Sequence, residues 1–252
     1  FESAKQRLND NGMILSWLPT YDMPASAFNS IIGTQLEVFP YVTIWHLTPH
    51  PAPLVLVASS KQQQYYSPKH INDSLLKKEV RDSVAGINIH NSMDVLTCYI
   101  ADERSLRKHI TAFRINSDYL PFVEFTTDAK TPQIQLLKQF VINPRIDTIY
   151  DHIDWTGFDE EQKTRWLADY QQLYKALNHL FMVYDTDTYL GKLEHCMDGL
   201  DVLPDNPTLL FFRKEFEKCL FQDSLRLIPL GKADQALALA DQILAIYPQS
   251  SV

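Results

Sequence analysis

Apolar positions in the first 125 residues change period from segment to segment, and each change marks a different element. Residues 2–9 (ESAKQRLN) place Ala4 and Leu8 on one helical face. Asn11-Gly12 follow, residue types that tolerate a left-handed helix end. The run 13–18 (MILSWL), stopped by Pro19, predicts a buried strand. Ser26 is the expected N-cap of an amphipathic helix over 27–38, in which Phe28, Ile31, Ile32, Gln35 and Leu36 recur at helical spacing; Phe39-Pro40 ends it. Residues 41–47 (YVTIWHL) and 54–59 (LVLVAS) are β-branched or aliphatic runs on either side of the proline-rich stretch 48–53, a pattern that predicts an antiparallel hairpin. Helices are expected over 74–84, over 92–100 with Asn91 or Ser92 as cap, and over 105–113. A turn and a short alternating segment follow at 115–125.

Beyond Thr126 the strand signals stop. Lys130-Thr131-Pro132 has the character of a linker, which divides the chain into an α/β part, residues 1–130, and a helical part, residues 131–252. Helical periodicity covers 134–141, 159–184, 188–203, 209–225 and 233–247. The last stretch carries small residues at helix-packing intervals and ends at Pro248, like the second half of a tetratricopeptide unit. A similar helix stop lies at 199–207, at a spacing longer than the usual repeat. A helix-hairpin domain is expected.

Composition narrows the function classes. With 45% apolar and 12% aromatic residues the 252-residue chain is a folded one. Its net charge of −8 gives no general attraction for nucleic acid or anionic lipid. No apolar run approaches the length of a bilayer span, and neither a signal peptide, a membrane segment nor a nucleic-acid partner is expected. The seven glycines are too widely spaced for G-x-G-x-x-G or a phosphate loop, both of which cluster glycines so that bare backbone can approach a phosphate. Cys98, Cys196 and Cys219 form no C-x-x-C pair, and an odd count favours reduced thiols in the cytoplasm.

Few constellations carry chemistry on their own. His46 and His50 are four apart, but in a strand and a proline loop that spacing does not bring two rings together, so no metal site is expected. His195 and Cys196 are neighbours on a helix and point about 100° apart, which leaves Cys196 a packing role. Asp151, Asp154, Asp159, Glu160 and Glu161 sit at the start of a long helix, where acidic side chains complement the helix dipole. Residues 184–188 lack the glycine and glutamate of a calcium loop and are expected to connect two helices.

Three ordered segments, 1–21 (FESAKQRLNDNGMILSWLPTY), 39–45 (FPYVTIW) and 116–121 (NSDYLP), resemble the C-terminal half of spermidine synthase-like proteins, of the bacterial type joined to a membrane transporter-like region. The resemblance covers about half the chain and implies an incomplete Rossmann-like, methyltransferase-type sheet. The first segment would be a helix and strand late in that sheet, and the second would lead into its antiparallel hairpin. The segment 116–121 resembles the recurring Asn-Thr-Asp-Asp-x-Pro pattern. In that family the glycine-rich nucleoside loop and the acid that deprotonates the amine lie upstream of the matched region. The resemblance therefore implies no catalytic residue and no cofactor in this chain, and decarboxylated S-adenosylmethionine or S-adenosylmethionine in an intact protein. It implies a fragment that is inert alone, and a cytoplasmic location with a tether to the inner membrane.

The loop 48–53 (TPHPAP) resembles the family's Pro-Thr-Tyr-Pro-Ser-Gly, whose tyrosine lines the amine site, so the resemblance puts His50 at the substrate; the residues alone give it a structural place in a stiff loop. By residue type Asp118 is expected to stabilise its turn. The alternative reading is a non-enzymatic helical-repeat module, with the helical part contacting a protein partner or an upstream domain.

Overall fold

A computed structural model describes residues 1–20, 23–46, 54–87, 89–126, 128, 136–137, 149–183, 186 and 188–248. The chain forms two compact units, Phe1–Trp166 and Leu167–Val252. The proposed linker and the loop with His50 lie outside the described residues.

The first unit is mixed α/β. Helix α1 (Glu2–Arg7) leads to β1 (Met13–Pro19), then α2 (Ala25–Val38), β2 (Tyr41–His46) and β3 (Leu54–Ser60). Two short helices, α3 (Pro68–Leu75) and α4 (Lys78–Val84), precede α5 (Ser92–Leu96), β4 (Tyr99–Ala101), α6 (Glu103–His109) and α7 (Phe122–Phe125). The four strands form one sheet in the order β1-β3-β2-β4. Strand β3 is antiparallel to both β1 and β2, so those two run parallel with β3 inserted between them, and β4 is antiparallel to β2.

Alternation along the strands explains the two faces. Leu18, Val55, Val57, Val42 and Ile44 share one face and are buried with Phe28, Ile32, Leu36 and Phe39 of α2 and its C-cap. Gln35 of α2 reaches this face, where its Oε1 accepts from Ser59 Oγ at 2.7 Å. On the other face Trp45 and Tyr99 are covered by Tyr66 and His152, whereas Leu15 and Trp17 of β1 are 53% and 73% exposed.

The structure moves several expected boundaries. Helix α2 starts at Ala25 with Pro24 as N-cap, which places Ser26 inside the first turn. The expected helix over 92–100 stops at Leu96. Asn91 caps it, with its Oδ1 accepting from the amides of Met93 and Asp94, and Tyr99–Ala101 turn outward to pair with β2. The alternating segment at 122–125 is a helical turn. Residues 149–166 belong to the first unit, tied to it by the parallel bridge Tyr66–Ile153.

The second unit is helical. It contains the later part of α8 (Glu160–Met182), together with α9 (Tyr189–Val202), α10 (Pro207–Leu227) and α11 (Ala233–Ile246). Leu193, Leu220 and Ile243, one from each of the last three helices, form its buried centre. Thr188 and Asn206 cap α9 and α10 by accepting from the amides of Gly191 and Leu209. Gly231, at φ +71°, supplies the left-handed turn before α11. At the start of α8, Asp159 and Gln162 form a reciprocal capping box, and Glu160 and Glu161 occupy the first turn. That much of the acidic stretch has the helix-end place expected of it. Asp151 and Asp154 lie before the helix and have other partners.

Candidate functional site

Two features of the α/β unit bring chemistry-bearing residues together. The first is an open groove of about 1090 Å³ beside the segment 116–121, with Ser26, Phe113, Arg114, Tyr119, Phe122 and Asp128 on its walls. The segment is anchored to α2 by backbone and side-chain hydrogen bonds. Asn116 N–H donates to Thr34 Oγ1 at 2.9 Å, and Asn116 Oδ1 accepts from Val123 N–H at 3.0 Å. Ser30 Oγ donates to the carbonyl of Arg114, and the Arg114 guanidinium lies 5.1 Å from the Phe122 ring centre. A Cβ at position 33 would overlap the Phe113 ring, so glycine there lets this strap lie against α2. The turn is closed by Ser117, which accepts from Leu120 N–H through its carbonyl and its Oγ. Asp118, expected to stabilise this turn, is exposed, and the hydrogen bonds that close the turn are those of Ser117.

The second feature is a buried charge cluster at the carboxyl end of β4. Asp102 is fully buried as N-cap of α6. Its Oδ1 accepts from Ser105 N–H at 3.0 Å, and its Oδ2 accepts from Arg104 Nε at 2.8 Å and faces His152 Nε2 at 3.6 Å. Arg104 also bridges to Asp151 at 2.9 Å. His152 Nδ1 lies 3.2 Å from the Gln64 carbonyl, and its ring is flanked by Tyr66 and Tyr99.

Burial by itself would raise the Asp102 pKa, but His152, the Ser105 amide and Arg104 outweigh it and hold the carboxyl at about 2. Burial works against a charged His152, and Asp102 and the Gln64 carbonyl more than offset it, so its pKa is raised. Burial, with the neighbouring Asp102 charge, raises the Glu103 carboxyl. The Tyr66 phenol is pushed up by burial as well.

This arrangement does not suit a metal. The ligand atoms of Asp102, Glu103 and His152 lie within 4.8 Å of one another, but the Asp102 oxygens already hold a guanidinium and a helix amide. A cation would have to displace Arg104, a charge of its own sign. The cluster instead pins residues 149–154 to the sheet: Tyr66 N–H donates to the His152 carbonyl at 2.7 Å, and Asp154 N–H donates to the Tyr66 carbonyl at 3.0 Å.

Of the residues singled out in the sequence, His50 lies outside the described residues. His46 is buried at the end of β2, where its N–H donates to the Cys98 carbonyl. Cys196 is fully buried and burial pushes its thiol up to about 12, in keeping with a packing role. The Asp102–His152 pair was not legible, because the two are fifty positions apart and His152 belongs to no periodic segment. An Asp directly after a short β-branched or aromatic run and three before Ser105 is the N-cap signal that marks half of it. Among the described residues no helix is long and apolar enough to cross a membrane. The chain matches no protein-family model, no curated protein and no solved structure.

Proposed function

We propose that this chain is the C-terminal portion of a spermidine synthase-like protein, in which the α/β unit completes the sheet of an aminopropyltransferase-related domain and the tetratricopeptide-like helices follow it. The observation that carries the reading is the strand order. Parallel β1 and β2 joined through α2, with β3 returning antiparallel between them, agree with a late strand followed by a hairpin in a methyltransferase-type sheet.

The character of β1 supports it. MILSWL is apolar at nearly every position, the composition of a strand covered on both faces, yet Leu15 and Trp17 are exposed and β1 is a sheet edge among the described residues. In the longer protein the preceding strands would pair with that edge. The nucleoside, decarboxylated S-adenosylmethionine or S-adenosylmethionine, would be held by residues upstream of Phe1. The groove beside 116–121 would lie on the same domain, with His50 on the hairpin loop at the amine.

The 252-residue chain alone is expected to give no heat with decarboxylated S-adenosylmethionine in calorimetry. A chain extended through the upstream coding sequence is expected to bind it and to shield Trp17 from acrylamide quenching. Micromolar binding by the 252-residue chain, or an upstream sequence without a glycine-rich strand–loop–helix, would refute the proposal.

A second reading is favoured by the apolar surface of the helical unit. Phe221, Leu225, Leu237 and Leu244 on α10 and α11 are 42%, 47%, 64% and 38% exposed, which suits a protein-binding face. Leu225→Glu with Leu237→Glu should then leave the helical circular dichroism unchanged and abolish capture of a partner by the intact protein. Capture that survives both substitutions removes this face from the reading.

A further inference from the structure

We infer that the hairpin of α8 and α9 carries a divalent transition-metal site, with His179, His195 and Asp198 as its three protein ligands and zinc as the ion of matching chemistry. The inference is independent of the family reading, since it rests only on the helical unit.

The backbone sets the site up. Gln172 Nε2 donates to the Val202 carbonyl at 3.1 Å, and a Cβ at Gly199 would stand 2.9 Å from the Ala176 carbonyl, so the two helices run antiparallel and approach closely at that point. One turn further along α8 from Ala176 is His179. One turn back along α9 from Gly199 is His195, with Asp198 beside the glycine. His195 and Asp198 are three apart and share a face of α9. The register that packs Gly199 against Ala176 therefore sets all three side chains together.

Their atoms converge as ligands do. His179 Nδ1 and His195 Nδ1 lie 3.8 Å and 3.9 Å from Asp198 Oδ2, and one ligand atom from each of the three residues falls within 4.8 Å of the others. Tetrahedral ligands held about 2.0–2.1 Å from zinc stand roughly 3.4 Å apart, so closure asks for shifts of about half an ångström between each histidine and Asp198 and of no more than about 1.4 Å between the two histidines. The rings are 31% and 30% exposed and free enough to make them. His195 Nδ1 is itself buried and accepts or donates no hydrogen bond, an orphaned polar atom aimed at this point. Two imidazoles and one carboxylate suit zinc and its neighbours, whereas calcium and magnesium take oxygen ligands. Three protein ligands leave a position for water or for a ligand from outside. The bound ion would staple α8 to α9.

Titration of the whole chain with zinc chloride should show one site by calorimetry, and metal-loaded protein should melt at least about 5 °C above protein dialysed against chelator. His179→Ala, His195→Ala and Asp198→Asn should each weaken binding by at least about 100-fold. Asp198 is 57% exposed, so its asparagine variant keeps the fold and separates a lost ligand from a lost structure. His152→Gln, in the other unit, should bind zinc as the parent does. Cobalt(II) should give visible absorption bands with the parent and none with Asp198→Asn. The absence of heat up to millimolar zinc would overturn the site, as would undiminished binding in the His179→Ala, His195→Ala double variant.

Discussion

Replacing Asp102 with asparagine is expected to destabilise the α/β unit by about 2–4 kcal/mol, because it removes the fully buried carboxylate that faces buried His152. Asparagine keeps an oxygen for the Ser105 amide, so the helix cap survives and the loss isolates the charge. Arg104 is half-exposed and can turn to water, whereas His152 is 2% exposed and cannot. For a unit of this size the melting temperature should fall by roughly 5–15 °C.

The pH profile distinguishes this from a general packing defect. Asp102 has its pKa depressed to about 2 in the folded state, so its contribution is present above its unfolded value near 4 and is lost as pH falls toward 2. His152 has its pKa raised, so its contribution is complete below about 6.5 and is lost as pH climbs through the folded value. The difference in melting temperature between parent and Asp102→Asn should therefore plateau between about pH 4 and 6.5 and shrink on both sides. A difference that stays constant from pH 3 to 9 would mean that the pair is not ionised as described.

How much of this was legible in the sequence depends on how local its cause is. Strands β1, β2 and β3 and helix α2 follow from unbroken apolar runs and helical spacing punctuated by proline, and they fall within two residues of expectation. Strand β4 does not, because Thr97 to Ala101 extends a helical pattern and only the open edge of β2 turns three of those residues into a strand. The antiparallel hairpin was legible, but the insertion of β3 between β1 and β2 was not, since strand order is decided by pairing across forty residues. The same holds for the sites. The acids at 159–161 announce a helix start locally, whereas Asp151 serves Arg104, which no spacing reveals. His179 and His195 meet only through the register of two helices, and a histidine with an aspartate three later was the one local trace of it.

That register depends on Gly199, and Gly199→Ala puts two effects in opposition. Alanine is better than glycine inside a helix by about 1 kcal/mol, so an exposed mid-helix site would gain from the change. Here the new methyl would stand 2.9 Å from the Ala176 carbonyl oxygen and 3.0 Å from the Leu209 side chain. The leucine can rotate, but the carbonyl is held in the hydrogen-bond ladder of α8, so the helices must move apart. Overpacking of this kind costs about 1–3 kcal/mol, and parting the helices also loosens Cys196 and Leu200, which are buried on the same helix. We expect the clash to win by about 1–2 kcal/mol, lowering the melting temperature of the helical unit by roughly 5–10 °C. Gly86→Ala, in the short 3-10 turn Ala85–Ile87 of the other unit, is the comparison without a clash: nothing lies within 4 Å of a Cβ there, and it should shift the melt of the α/β unit by less than about 0.5 kcal/mol in equivalent stability. A Gly199→Ala protein that melts at or above the parent, followed by circular dichroism at 222 nm, would show that helix propensity decides at this position and that α8 and α9 are not held at the separation described.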